Sequence, residues 1–124
     1  MNERQALGAQ GEALAAAHLQ AQGCVVRATR WRPAGQGLQG DIDLVVQDGP
    51  TLVFVEVRTR RGAAGRAEES VTPTKQRRLL ALALAYLQAH DLPDATDWRV
   101  DVVAIQMRAA GPPVLTWLRG AVEG

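Results

Sequence analysis

The chain holds one cysteine, one lysine, one tyrosine and one phenylalanine among its 124 residues. The single cysteine, Cys24, excludes an internal disulfide framework and fits a reducing compartment; within its Cys-Val-Val run it reads as a small buried hydrophobe. Long apolar runs are missing as well. The Leu79–Leu87 stretch is short and flanked by polar residues, far from the roughly 20 residues of a membrane-spanning helix. Met1-Asn2-Glu3-Arg4-Gln5 has neither the basic start nor the apolar stretch of a signal peptide. A soluble, cytoplasmic protein with no membrane partner is therefore expected. There is no zinc-ligand spacing, phosphate-cradling glycine motif or serine triad, and no internal repeat or low-complexity segment.

Net charge is also scarce, at +1, but it is unevenly distributed. Residues 27–78 carry ten Arg or Lys against six Asp or Glu, leaving four against seven elsewhere: about +4 in the middle and about −3 at the ends. The asymmetry points to a surface facing a polyanion, although a solvated charged face would have the same composition. Thirteen of the fourteen basic residues are Arg, with Lys75 the exception, a bias that looks compositional.

The length predicts one domain over 1–124 with a core of its own. Residues 3–22 carry Leu7, Gly11, Leu14, Ala15, His18 and Leu19 on one arc at the helical period, with Glu12 at its edge and Gly23 at the C-terminal cap. Residues 24–30 read as a first strand, and a glycine-rich loop follows from Pro33 to Gly40. Two apolar runs, 40–46 and 52–60, come next. Arg61 to Ser70 reads as a polar, mobile segment. Thr72-Pro73 then opens a helix to about His90, with Thr as N-cap and Pro at the first helical position. Strands are predicted at 98–107 and 114–118. The order α-β-β-β-α-β-β predicts an α/β fold, a mixed central sheet of about five strands flanked by helices.

The two middle runs hold the chemistry. Side chains alternate faces along a strand, so Asp41, Asp43 and Val45 share a face of the first run, and Leu52, Phe54, Glu56 and Arg58 share one of the second. A two-residue Gly49-Pro50 turn would set Asp43 opposite Glu56 and Asp41 opposite Arg58. A turn at Asp48-Gly49 would set Asp41 opposite Glu56 instead. Either register gathers carboxylates that repel one another and are costly to bury without a compensating cation. A divalent metal and Arg58 are the two candidates. Mg²⁺ needs only one or two carboxylates plus water and substrate phosphate, so Asp43 and Glu56 suffice, with Asp41 and Glu12 as helpers. Such a metal would polarise a phosphodiester and lower the pKa of a bound water, and Arg58 would steady the developing charge. The competing reading is a closed ion cluster of Asp43, Glu56 and Arg58.

Gly11-Glu12, Trp31-Arg32, Gly40-Asp41-Ile42-Asp43-Leu44, Phe54-Val55-Glu56-Val57-Arg58-Thr59-Arg60, Lys75 and Arg99-Val100-Asp101-Val102-Val103 together resemble the YraN-like family of bacterial proteins. That family is similar to the archaeal Holliday-junction resolvases and to the restriction-endonuclease-like, PD-(D/E)xK, superfamily. The resemblance covers nearly the whole chain in the same order. It implies a single nuclease-like domain in which Asp43 matches the metal-binding Asp, Glu56 the second acid, Arg58 the position usually held by the catalytic Lys, and Glu12 the helix glutamate of the resolvase-like branch. Two positions depart from the pattern. Asp41 stands where Glu is usual, and Arg58 replaces a compact, titratable ammonium with a planar cation that cannot serve as a base. Lys75, at the start of the second helix, is placed to supply the missing ammonium or to contact phosphate.

The reading that results is a metal-dependent endonuclease acting on structured or branched DNA. Asp43, Glu56 and Arg58 would be catalytic, and Asp43, Glu56, Glu12 and Asp41 would be the metal-side acids for Mg²⁺ or Mn²⁺. Arg32, Arg60, Arg61, Lys75, Arg77 and Arg78 would grip the nucleic acid. A homodimer is implied by the resemblance to proteins that act on symmetric junctions. Two alternatives stand beside it: a non-catalytic nucleic-acid-binding module in which Arg58 replaces the catalytic Lys, and a protein-interaction role with the acids closed into salt bridges.

Overall fold

A computed structural model describes residues 2–35, 37–62 and 71–122. Its elements follow the order α1 (Glu3–Ala21), β1 (Val25–Trp31), β2 (Ile42–Asp48), β3 (Thr51–Arg61), α2 (Pro73–Ala89), β4 (Trp98–Met107) and β5 (Val114–Val122). The strands form one mixed sheet in the order β1-β2-β3-β4-β5. Only β3 and β4 run parallel, as their α2 crossover connection permits; the other neighbours are antiparallel. The α/β class and element order are as the sequence predicts.

Each helix covers one face of the sheet. Leu79, Leu82, Ala83 and Tyr86 of α2 pack on Ile42, Val45, Leu52, Phe54 and Val100, while Ala15 and Leu19 of α1 pack on Leu44, Val46, Val53, Val55, Val103 and Ile105. Both faces of the central strands are therefore apolar; the runs predicted from 40–46 and 52–60 show little alternation because each side of the sheet has its own core. Full burial of each Val, Leu, Ile or Phe side chain is worth about 1.5–3 kcal/mol. Trp31 makes an edge-on contact with Tyr86, their ring centroids 5.1 Å apart, which makes it a cap on the α2-side core.

The α1 contact is close because Gly11 is buried against β3, where a Cβ would collide with the Thr59 hydroxyl. Asn2 and Gln5 cap α1 reciprocally, each side chain bonded to the other's backbone N–H. Thr72 Oγ1 accepts the Lys75 backbone N–H at 3.2 Å, with Pro73 opening the first turn of α2 as predicted.

The hairpin takes the first of the two registers. Asp48 pairs with Thr51 and Leu44 with Val55, leaving Gly49 and Pro50 as the turn, with Gly49 at φ +57. Two boundaries differ from the sequence reading. β2 begins at Ile42, so Gly40 and Asp41 lie before it and Asp41 is not paired across from Arg58. β5 runs through Gly120 to Val122, because a register shift opposite Val100–Val102 absorbs the glycine within the strand. The segment read as mobile falls, from residue 63 on and with Arg66, outside the described residues. Among the described residues no helix is long and apolar enough to cross a membrane.

Candidate functional site

Continued by one position, the β2–β3 register sets Asp43 across from Glu56. Both acids face α2, at the edge of the apolar core. Asp43 Oδ2 accepts the Val57 backbone N–H at 2.8 Å, so a main-chain donor of β3 fixes this carboxyl. Glu56 is only 4% exposed. Burial, a side-chain hydrogen bond to Glu56 and the Glu56 charge together push the Asp43 carboxyl up to about 9. At neutral pH the two carboxyls therefore hold a proton between them on the Asp43 side.

Lys75 meets this pair from α2. Its Nζ lies 2.8 Å from Glu56 Oε2, yet the approach is misaligned for a hydrogen bond, and Oε2 is buried with no hydrogen-bond partner. The contact is charge against charge. Asp41, Asp43, Glu56, Lys75 and Arg78 line one cavity of about 130 Å³, walled on its inner side by Leu79 and Leu82. Lys75, Leu79 and Leu82 stand at the i, i+4, i+7 spacing of one helix face, which explains how a charged residue and the apolar wall arrive together. Asp41 is also 3.6 Å from Arg32 Nη2, on the exposed rim.

The four acids expected on the metal side are not brought together as one set. Glu12 Oε1 is taken by Arg30 Nε at 2.9 Å, tying α1 to β1, and Glu12 acts on Asp43 only through its charge. Among the described residues, no group of three or more His, Cys, Asp or Glu side chains is disposed to hold a metal. Asp43 and Glu56 nevertheless suit a hard divalent ion that keeps most of its waters. Glu56 offers a buried oxygen with no hydrogen bond, and Asp43 a carboxyl raised first by burial and then by its neighbour Glu56, which a bound cation would favour in its ionised form.

Arg58 follows Glu56 on the same face of β3, half-buried, and its Nε is buried with no hydrogen-bond partner. It forms no ion pair among the described residues, so the closed Asp43–Glu56–Arg58 cluster is not what compensates the acids; Lys75 does that. The remaining basic residues divide. Arg77 and Arg78 are exposed in the early turns of α2, beside Lys75. Arg60 donates to the Thr59 carbonyl at 3.3 Å, and Arg61 lines a separate cavity with Glu3 and Arg4.

Two contributors went unread in the sequence. The Val57 N–H is a main-chain group, visible only once the register is known. The apolar wall of Leu79 and Leu82 had a signal in the helical spacing from Lys75.

Asp101 proves to be structural. Fully buried, it accepts Arg99 Nε at both oxygens, Trp117 Nε1 at 2.8 Å and the Gly120 N–H at 2.8 Å, while Arg99 Nη2 reaches Asp48 at 2.8 Å. Cys24 is buried as expected, its thiol pushed up chiefly by that burial.

Residues 11–105 match the model of a family described as "Uncharacterised protein family UPF0102". A UPF0102 protein of Roseiflexus castenholzii is 52% identical over 84% of this chain and 82% of its own length. One from Acidothermus cellulolyticus is 44% identical over 95% of this chain and 94% of its own, and one from Herminiimonas arsenicoxydans 44% identical over 97% and 89%.

Proposed function

The chain belongs to the UPF0102 family, and from the acid cavity beneath α2 we propose that it is a metal-dependent endonuclease acting on structured or branched DNA. The fold would then be of the restriction-endonuclease-like type, close to the resolvase branch, and the chain one nuclease domain. The observation that carries the reading is the buried Glu56 carboxylate, with one oxygen left without a hydrogen bond, beside the raised Asp43 carboxyl, which forms no ion pair among the described residues. Buried polar groups in native proteins are nearly always satisfied, so an exception of this kind supports the reading of a ligand site.

A second observation supports the polyanion. The first turn of α2 has no acidic residue and instead carries Lys75, with Arg77 and Arg78 following. Cations at a helix N-terminus oppose the helix dipole at a cost of about 0.3–1 kcal/mol each, a cost offset if phosphates lie there. Lys75 and Arg78 also border the acid cavity, so phosphate held by this helix start would sit over the acids.

Asp43 and Glu56 would hold Mg²⁺ or Mn²⁺, with Asp41 on the same cavity wall adding negative charge. The ion, when bound, would lower the pKa of a water and polarise the phosphodiester. In the net reaction the water oxygen bonds to phosphorus and the bond from phosphorus to one sugar oxygen breaks. That sugar oxygen takes up a proton, and the other proton of the water leaves to solvent. Arg58, Arg78 and Arg32 would position the charged backbone; Glu12 would keep α1 and β1 in place through Arg30.

The test is incubation of the purified protein with Mg²⁺ or Mn²⁺ and junction, flap, single-stranded and duplex DNA. Divalent-dependent cleavage that Glu56→Ala abolishes is the expected result. No cleavage of any substrate, with salt-sensitive binding that persists in chelator, would replace this reading with a non-catalytic binding module. The Lys75–Glu56 contact favours that second reading, because it compensates the acid without a metal.

A further inference from the structure

The strand position that follows Glu56 by two holds Arg58, yet the cation that reaches the acids comes from a different element. We propose that Lys75, delivered from α2, is the catalytic cation of this site, and that the same ammonium holds Glu56 until a divalent ion takes that carboxylate. The inference rests on the nuclease reading above and names the group that would face the scissile phosphate.

Four observations converge on it. Lys75 Nζ is 2.8 Å from Glu56 Oε2, while Arg58 makes no ion pair among the described residues. The contact is misaligned, so the ammonium is attracted to Glu56 without being locked by a directed hydrogen bond. The Lys75 side chain is 36% exposed where that of Glu56 is 5%, so the ammonium sits between the buried acid and the outside, at the mouth through which a phosphate would approach. Finally, the backbone of Lys75 is fixed by the Thr72 cap and Pro73, leaving the four-carbon stem as the movable part.

Lysine suits this position better than arginine. Its ammonium is compact and its stem flexible, so it can leave a carboxylate and turn to a phosphate oxygen within a cavity of about 130 Å³. A planar guanidinium would fill much of that space and hold the carboxylate by two bonds. That Lys75 is the one lysine among fourteen basic residues accords with this requirement. A divalent ion on Asp43 and Glu56 would repel the ammonium and free it for the developing phosphate charge.

This predicts opposite effects of one substitution. Lys75→Ala should tighten Mn²⁺ binding at least threefold at pH 8, measured by calorimetry, because a competing cation is gone; it should also slow cleavage at least a hundredfold. A residue that only braced the site would weaken both. Lys75→Arg should return the Mn²⁺ affinity toward wild type with less than a tenth of the cleavage rate. Arg58→Ala should lose at least tenfold less rate than Lys75→Ala. Lys75→Met, which keeps the stem, replaces Lys75→Ala if that variant does not fold. Unchanged or weaker Mn²⁺ binding in Lys75→Ala overturns the proposal, as does a greater loss of rate in Arg58→Ala. If the wild type binds Mn²⁺ but cleaves nothing, the catalytic role falls with the nuclease reading, while the affinity change still decides whether Lys75 guards Glu56.

Discussion

Two buried acids sit on neighbouring strands of the same sheet, and their surroundings differ. Asp101 of β4 is wholly buried and accepts from Arg99, Trp117 and the Gly120 backbone, so both oxygens are satisfied. Glu56 of β3 is nearly as buried, yet its Oε2 has only a misaligned ammonium beside it. An acid buried for the fold is normally surrounded by donors until nothing remains to be bonded. Glu56 Oε2 departs from that pattern. Burial by itself does not distinguish the two; the count of satisfied oxygens does.

The largest effects should separate the clusters most sharply. Asp101→Ala strips the hydrogen-bond acceptor from Arg99, Trp117 and Gly120 together, and should destabilise the protein by about 3 kcal/mol in urea unfolding, with cleavage per folded molecule within threefold of wild type. Glu56→Gln should do the reverse. It keeps the shape of the side chain and removes a charge that only the half-exposed Lys75 faces, so stability should stay within about 1 kcal/mol, while cleavage drops on the order of a thousandfold or more. If Glu56→Gln destabilises as much as Asp101→Ala, the two clusters are alike and the distinction fails.

Asp43 gives a pH signature that the Asp101 cluster should not share. Its folded-state carboxyl is raised from 3.8 to about 9, first by burial and then by Glu56. Between those values the folded protein holds a proton that the unfolded chain has released. The contribution to stability is therefore full below about 4 and is lost as pH rises to about 9. Unfolding midpoints in chelator should fall across that window, and Asp43→Asn should flatten the slope. Because a bound cation must expel the same proton, Mn²⁺ affinity should climb with pH by up to about tenfold per unit, levelling near 9.

A smaller effect probes the platform under the open cluster. Gly11 is pressed against Thr59, three residues beyond Glu56 on β3. Gly11→Ala should cost about 1–3 kcal/mol by overpacking, and should loosen the α1 side of the strand without touching the acids. Thermal melting with parallel Mn²⁺ titration checks this: lower stability with unchanged affinity keeps the site independent of α1, and lost affinity would join them.

Much of this arrangement was legible in the sequence because it depends on local chemistry. Thr72-Pro73 marks a helix start whatever lies around it, and Gly49-Pro50 is one of the two turns the sequence allows, the one that pairs Asp43 with Glu56. What the sequence left open depends on where the helices land. Helical periodicity placed Glu12 at the edge of an apolar arc but could not identify Arg30 as its partner. Strand alternation puts Arg58 on the face of Glu56, and the sequence offers Lys75 as a second source of an ammonium, but only the packing of α2 decides between them as the partner of Glu56. Asp41 was read as a strand residue because the apolar run continues without a break after it, whereas the backbone begins pairing only at Ile42.

The smallest effect belongs to the rim. Arg32 and Asp41 lie 3.6 Å apart with the Arg32 side chain 71% exposed, a pair that solvent and salt screen almost completely. Arg32→Ala should therefore leave the unfolding midpoint within about 0.5 kcal/mol of wild type, unlike any substitution in the Asp101 cluster. Its value lies in binding. A guanidinium that touches phosphate contributes about one released counterion, so the slope of log affinity for DNA against log salt should become shallower by about one, uniformly across sequences. Arg99→Ala, inside the satisfied cluster, should lower stability and leave that slope alone. A salt slope that moves with Arg99 and not with Arg32 would put the nucleic-acid face on the other cluster and reverse the assignment of the two.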